Sequence, residues 1–365
     1  MIKQVKLKDV ASHSKGKQIN GDDLIKNGTY DYLNGGINPS GKWNGYNTES
    51  DTVTISEGGN SSGYVNFMIN PFWCGTHCYY LYNLKIQPKY LYYALKSQEN
   101  RLMSLRTGAA MPNIKKSTLG EFVFQIDDNS NNQNQIVSIL DSVSNIILKK
   151  NKQLSDYDQL IKSRFVEMFG DIFNGKSNYS TIKISEAVVP KIERAKKDFN
   201  ADDEIKYLDI SSVDNRKNII IGYTDYLMKD APSRAQQHVR KDDIVISTVR
   251  PNLNNVAKVT HDYSNIVASS GFCVLRASKV EPNFLFALVS MQSFADYLAS
   301  LTTGANYPAV SDKDILNFEI PNAPFEEQTK FSDFIKQVDK LKFSVQQSLD
   351  ESQKLFDSLM QEYFG

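Results

Sequence analysis

The chain repeats itself. Residues 107–112 read Thr-Gly-Ala-Ala-Met-Pro and residues 303–308 read Thr-Gly-Ala-Asn-Tyr-Pro. Pro88-Lys89-Tyr90-Leu91-Tyr92 returns as Pro282-Asn283-Phe284-Leu285-Phe286. Residues 133–170 align without a gap to 328–365, pairing Gln133 with Gln328, Leu140 with Ile335, Val143 with Val338 and Leu154 with Leu349. Both stretches close alike, Glu167, Phe169 and Gly170 answering Glu362, Phe364 and Gly365. The starts match more loosely, Val5-Lys6-Leu7-Lys8-Asp9 against Ile182-Lys183-Ile184-Ser185-Glu186, while Cys78 and Cys273 fall one residue out of register. A colinear series of this kind means two copies of one unit of roughly 180–195 residues, each a globular part followed by a long tail.

The tails read as helices. In 133–169, Leu140, Val143, Ile147, Leu154, Tyr157, Ile161 and Met168 recur at helical spacing, and Ile335, Val338, Val345, Leu349, Phe356, Leu359 and Tyr363 do so in the second tail. No Pro or Gly interrupts either before its terminal Phe-Gly. Lys150, Arg164 and Ser352 break the apolar seam, which points to an antiparallel pair or mixed bundle rather than a strict zipper. The globular parts read as short strands, among them Val53–Ser56, Asp243–Ser247 and Phe272–Leu275, with amphipathic helices over 88–104 and 282–301. The expected fold class is therefore α+β: two repeated α/β domains separated by two long, antiparallel, coiled-coil-like helices, with pseudo-twofold character. The expected boundaries are 1–127, a helix over 128–172, 173–322, and a helix over 323–365.

Composition narrows the class. With 41% hydrophobic and 23% charged residues, the 365-residue chain is neither disordered nor a polycationic coat. No apolar run approaches the ~20 residues of a membrane span. Three cysteines cannot form a disulfide framework, and a cytoplasmic location is expected.

Catalytic motifs fail one after another. Gly36–Lys42 has the spacing of a phosphate-binding loop, but Trp43 stands where Ser or Thr would hold magnesium. Asn70-Pro71-Phe72-Trp73 lacks the second Pro of a base-gripping methyltransferase loop, and no glycine-rich strand–turn–helix for S-adenosylmethionine is visible. Cys74, His77 and Cys78 offer zinc ligands, yet no second Cys/His cluster completes a tetrahedral site. Four scattered histidines support no Ser-His-Asp arrangement. No metal site and no bound cofactor are expected. Trp43 and Trp73 are expected in the core.

Several stretches together carry a resemblance. They are Lys241–Pro251 (Lys-Asp-Asp-Ile-Val-Ile-Ser-Thr-Val-Arg-Pro), Ile266–Leu275, the doubled Thr-Gly-Ala before Pro, and the helix entry Ile320–Gln328. In this ordered, doubled set the chain resembles the specificity subunit of type I restriction–modification systems. The first copy keeps only Gln133 of the Glu-Glu-Gln helix entry and lacks its prolines. The resemblance implies two target recognition domains, each reading half of a bipartite double-stranded DNA sequence. It also implies long helices that hold those domains apart and dock two modification subunits, with or without restriction subunits. The chain itself would be non-catalytic; S-adenosylmethionine, and ATP with magnesium for restriction, would belong to partners. The rival readings are a stand-alone DNA methyltransferase or nuclease with a degenerate site, or a coiled-coil protein scaffold.

Base and phosphate contacts come from Arg, Lys, Asn, Gln, Ser and Thr on loops. The candidates in the first copy are Asn60, Ser61, Ser62, Arg106, Asn113, Lys115 and Lys116; in the second they are Thr248, Arg250, Asn252, Asn254, Thr303 and Asn306. For helix pairing and partner docking the candidates are Leu140, Val143, Ile147, Leu154, Ile161, Ile335, Val338, Val345, Leu349 and Phe356. The neutral total hides an uneven distribution. Residues 1–127 carry 14 basic and 10 acidic residues, residues 323–365 carry 5 and 8, and residues 176–322 balance at 18 and 18. Any positive face of the second copy must come from segregation in space.

Overall fold

A computed structural model describes residues 2–108, 112–302 and 308–365. It divides into two compact units, Met1–Asn151 with Gln347–Gly365, and Lys152–Gln346. The two long helices, Ser130–Phe169 and Phe325–Phe364, are 40 residues each, and both are shared between the units.

The first unit holds a four-stranded antiparallel sheet ordered Ser12–Lys15, Cys78–Tyr82, Thr52–Ser56, Val65–Met68. Thr52–Ser56 is buried at all five positions, as a central strand of β-branched residues should be. A second sheet runs Gly41–Trp43, Tyr30–Leu33, Phe72–Cys74, its first pair antiparallel and its second parallel. Ile2–Lys6 and Val123–Asp127 form a separate antiparallel ladder.

The second unit repeats this plan. Ile244–Ser247 lies buried between Val256–Lys258 and Phe272–Leu275. Glu204–Leu208 pairs antiparallel with Thr224–Leu227 and parallel with Ile266–Ser269, and Ala235–Val239 extends that sheet. Thr181–Lys183 and Glu319–Pro321 form the matching ladder. The strand register also explains the displaced cysteines. Ser56 pairs with Cys78 and Ser247 with Phe272, so Cys273 occupies the place of Tyr79. The stretches 88–104 and 282–301 each break into two helices, Pro88–Ser97 with Glu99–Ser104 and Pro282–Val289 with Gln292–Ser300.

Along the helices, Leu140, Val143 and Val338 are buried; Ile147, Leu154, Ile161, Ile335, Val345, Leu349 and Phe356 are half-buried. In the first unit the start of one helix runs antiparallel to the end of the other: Val137 and Leu140 share a core with Phe364, and Lys150 Nζ donates to Ser348 Oγ at 2.7 Å. In the second, Phe165 meets Phe331 at 5.6 Å between ring centroids and Lys342 meets Asp158 at 2.6 Å. The residues that break the seam lie in it. Lys150 keeps its stem along the stripe and Arg164 lies 5.9 Å over the Phe334 ring, because long cationic side chains bury their carbons while their heads find partners.

The doubled glutamine receives a structural role. Gln133 is 3% exposed and Gln328 1%. Gln133 accepts from Gln87 N–H at 3.2 Å and donates to Asp127 C=O at 2.7 Å, and Gln328 accepts from Glu281 N–H and donates to Ala323 C=O, both at 2.8 Å. Each amide thus satisfies backbone groups at two helix starts that would otherwise be buried unpaired. Among the described residues no helix is long and apolar enough to cross a membrane.

Candidate nucleic-acid interface

In the first unit the strand Thr52–Ser56 runs into a loop over residues 57–63. That loop is stitched to the Thr-Gly segment by backbone pairs. Gly58 bridges Asn113, Thr107 bridges Asn113, Gly59 N–H donates to Pro112 C=O at 3.0 Å, and Ile114 N–H donates to Glu57 C=O at 2.9 Å. Arg106 closes the arrangement by donating to Asn60 C=O at 3.3 Å. Asn60, Arg106, Asn113, Lys115 and Lys116 are all exposed around it.

The loop is held from beneath. Gly35, at φ +87°, offers its carbonyl to Ser56 and to Ser61 Oγ, the latter at 2.6 Å. A side chain there would place Cβ 2.2 Å from the His77 carbonyl oxygen, so only glycine fits. Glu57, 9% exposed, gathers Lys15 at 2.7 Å and His77 Nδ1 at 3.3 Å. Burial first, and the Glu57 charge second, push the Tyr79 hydroxyl up to about 12, so it stays neutral and donates to Ile114 C=O at 3.0 Å.

In the second unit the equivalent strand Ile244–Ser247 runs into Thr248–Asn255. Val249 bridges Ala309, Arg250 N–H donates to Pro308 C=O at 2.8 Å, and Thr248 N–H donates to Gly271 C=O at 3.0 Å. Arg250 and Asn254 both adopt left-handed backbone, φ 50° and 52°, flanking a short turn over Pro251–Leu253. Arg250 and Asn252 are exposed at its surface.

Not every candidate faces solvent. Ser62 is 0% exposed and donates to Glu57 C=O at 2.6 Å; it shapes the loop and presents nothing. Ser61 is half-buried and committed to Gly35. Thr248 gives its hydroxyl to Gly271 C=O at 3.0 Å, and Asn254 gives its amide to Ser290 C=O at 2.8 Å. These four place the loops, because small hydroxyl and amide side chains in turns bond nearby backbone first. Thr303 and Asn306 lie outside the described residues. Trp43 and Trp73, expected in the core, are half-buried neighbours at 6.4 Å, with Trp73 Nε1 donating to Lys17 C=O at 2.7 Å. Indole N–H needs a partner, and one at the rim keeps the ring there.

The rejected catalytic motifs also have places. Lys42 sits in a strand, 3.4 Å from Asp31, rather than at a helix start. Cys74 and Cys78 are buried in an apolar cluster with Leu33 and Phe72, while the His77 ring turns to Glu57. The hydrogen-bonded neighbour Cys78 first, and burial second, push the Cys74 thiol up, away from thiolate. Among the described residues no group of three or more His, Cys, Asp and Glu is placed to hold a metal ion.

Asp243, from the Lys-Asp-Asp-Ile-Val-Ile-Ser run, is structural. It is 1% exposed and takes the Arg276 guanidinium in a two-point grip at 2.8 and 2.7 Å. It also accepts from Arg240 N–H at 2.8 Å, and Arg276 reaches Glu193 at 2.6 Å. Asp243 foremost, with Glu193, holds the Arg276 charge firmly. Glu193's own backbone N–H, then Arg276, hold its carboxyl below the ordinary range. That contribution to stability is present at neutral pH and is lost as pH falls through the lowered value.

Fold and loops together define a duplicated α+β module presenting one stitched loop pair per copy. Residues 2–155 and 178–351 match the type I restriction modification DNA specificity domain, so the chain belongs to that family. It is 33% identical over 154 residues to a Mycoplasma pneumoniae protein named as a type I specificity subunit, covering 41% of this chain and 40% of that one. It is 25% identical over 271 residues to the specificity subunit of the type I restriction enzyme MjaVIII of Methanocaldococcus jannaschii, covering 69% and 63%. The matches span between 33% and 63% of the curated relatives' lengths. The crystal structure of a type I restriction-modification S subunit from M. genitalium shares the fold, with TM-score 0.62, 20% identity, and coverage of 100% of this chain and 96% of that one.

Proposed function

We propose that the chain is the non-catalytic, sequence-reading subunit of a type I restriction–modification assembly, each loop pair reading one half of a bipartite double-stranded DNA target. The observation that carries this is the recurrence of one loop pair in both units, each stitched by backbone bonds, the first leaving Arg106, Lys115, Lys116, Asn60 and Asn113 outward and the second Arg250 and Asn252. Loops fixed by a rigid scaffold suit base-edge reading, which needs donors and acceptors held in place. Lys115, Lys116 and Arg106 serve the first half-site, and Arg250 and Asn252 the second.

The long helices, about 60 Å each at 1.5 Å per residue, set the spacer between half-sites and dock two modification subunits. Apolar side chains left outward support docking: Ile139 and Ile146 in the first unit, Phe325 and Phe343 in the second. S-adenosylmethionine chemistry belongs to those partners, and ATP and magnesium to restriction subunits where present.

Two tests follow from this reading. Sequencing the methylated bases of a host carrying the gene should reveal a split adenine motif that vanishes on deletion; persistence of every motif would refute the assignment. In the reconstituted assembly, Arg250→Ala should weaken binding to that target by about 1–3 kcal/mol, roughly 5–150-fold, at the second half-site only. Lys115→Ala should act on the first half-site, by a smaller factor if it holds phosphate. Unchanged binding by both variants would remove these residues from the interface.

A further inference from the structure

Between its adjacent strands Glu204–Leu208 and Thr224–Leu227, the second unit carries residues 209–223; the first unit has only 34–40 in the same place. Part of the longer segment folds as a hairpin, Val213–Asp214 against Ile219–Ile220. The turn is locked. Asp214 Oδ1 accepts from Arg216 N–H at 2.9 Å and Lys217 N–H at 3.3 Å, and Asn218 takes a left-handed φ of 53°.

The hairpin is also bolted to the loop that carries Arg250 and Asn252. Asn215 donates its amide to Leu253 C=O at 2.7 Å, and Asn218 donates to Asn254 C=O at 3.2 Å and Val256 C=O at 3.1 Å. In the first unit the equivalent segment supports the equivalent loop through the Gly35 carbonyl. The second unit has extended that support outward, and its tip carries two cations. Arg216 and Lys217 are exposed, and neither side chain has an ion pair or hydrogen bond among the described residues.

Several other basic side chains of this unit are paired with carboxylates, Lys206 with Asp225, Lys229 with Asp202, and Arg276 with Asp243 and Glu193. The only carboxylate within the turn, Asp214, is occupied by the turn's own backbone. The two positive charges at this tip are therefore not cancelled within the turn itself.

We propose that Arg216 and Lys217 form a phosphate clamp beside the second reading loop, gripping the DNA backbone while Arg250 and Asn252 face the bases. This rests on the DNA reading above and adds the contact class and the residues. Phosphate is the fitting ligand because long cations with no orienting partner sense charge, not the donor–acceptor pattern of a base edge.

The test is salt titration of duplex binding by the full chain, followed by fluorescence anisotropy at low ionic strength on two duplexes of unrelated sequence. In Arg216→Ala/Lys217→Ala the slope of log affinity against log salt should fall by about 1.8, close to 0.9 per lost phosphate contact, equally on both duplexes. Lys229→Ala, which removes a cation already paired, should leave the slope unchanged, and thermal midpoints should confirm that both variants fold. An unaltered slope in the double variant overturns the clamp and leaves the DNA reading standing. Loss on one duplex alone makes the pair base readers and overturns the phosphate assignment. Absence of salt-dependent binding by the unaltered chain overturns the DNA reading itself, and the clamp with it.

Discussion

Replacing Asp243 with alanine should destabilise the second unit by about 3–5 kcal/mol, the usual cost of stripping one partner from a buried ion pair. The carboxylate is 1% exposed and answers three donors, two from Arg276 and one from the Arg240 backbone. Alanine leaves a guanidinium whose side chain is only 17% exposed, with Glu193 as its one remaining carboxylate and the His238 carbonyl, at 3.3 Å, as a neutral acceptor. At about 2–4 °C per kcal/mol for a unit of this size, its thermal midpoint should fall by roughly 6–20 °C. Arg276→Ala should cost a comparable amount. The double change Asp243→Leu/Arg276→Met should recover much of the loss, since an apolar pair buries no stranded charge. Urea unfolding of the full chain measures all three. A single variant within about 1 kcal/mol of the unaltered chain would mean that water reaches Arg276 and the network is not the closed one described.

Much of this was legible in the sequence, and the reason is physical. Duplication multiplies every weak signal by two, so a Thr-Gly-Ala in one copy draws support from its echo. The helices were legible because their apolar residues recur at a fixed period over many turns. What periodicity could not reach were jobs set by tertiary neighbours. Gln133 and Gln328 aligned perfectly, but that each caps two helix starts requires knowing that Gln87 and Glu281 lie beside them. Ser62 and Asn254 read as loop polarity like Asn60 and Asn252. Only burial separates the pair that builds the loop from the pair that faces outward. Lys15 and His77, which converge on Glu57 under the first loop, left no signal of that role, because they come from segments 42 and 20 residues away. The charge of the second copy was invisible for the same reason: totals cancel, and segregation is a property of folded space.

The two phenylalanines that end the helices should respond oppositely to the same substitution. Phe169 is 0% exposed in the second unit, 4.7 Å from Phe284 and 5.4 Å from Phe331 between ring centroids. Phe364 is 4% exposed in the first unit, 5.2 Å from Tyr90, with its carbonyl accepting from Gln98 at 3.0 Å. The repeat thus places each helix's last aromatic ring against the first turns of a helix following the strands, Pro282–Val289 for Phe169 and Pro88–Ser97 for Phe364. Deleting such a ring removes its transfer free energy and leaves a cavity, about 3–5 kcal/mol together. Hydrogen exchange read by mass spectrometry should resolve where the loss falls. Phe169→Ala should lower protection in the strands at 181–183, 244–247 and 272–275; Phe364→Ala should lower it at 2–6, 52–56 and 78–82. Loss in the same strands for both variants would contradict the division of the core. The functional corollary, on the DNA reading proposed above, is that Phe364, remote in sequence from the loop at 57–63, supports the core on which that loop is built. If that loop reads the first half-site, Phe364→Ala should weaken binding there and leave the second half-site intact. Each unit's core thus takes in the end of a helix whose sequence belongs to the other copy of the repeat.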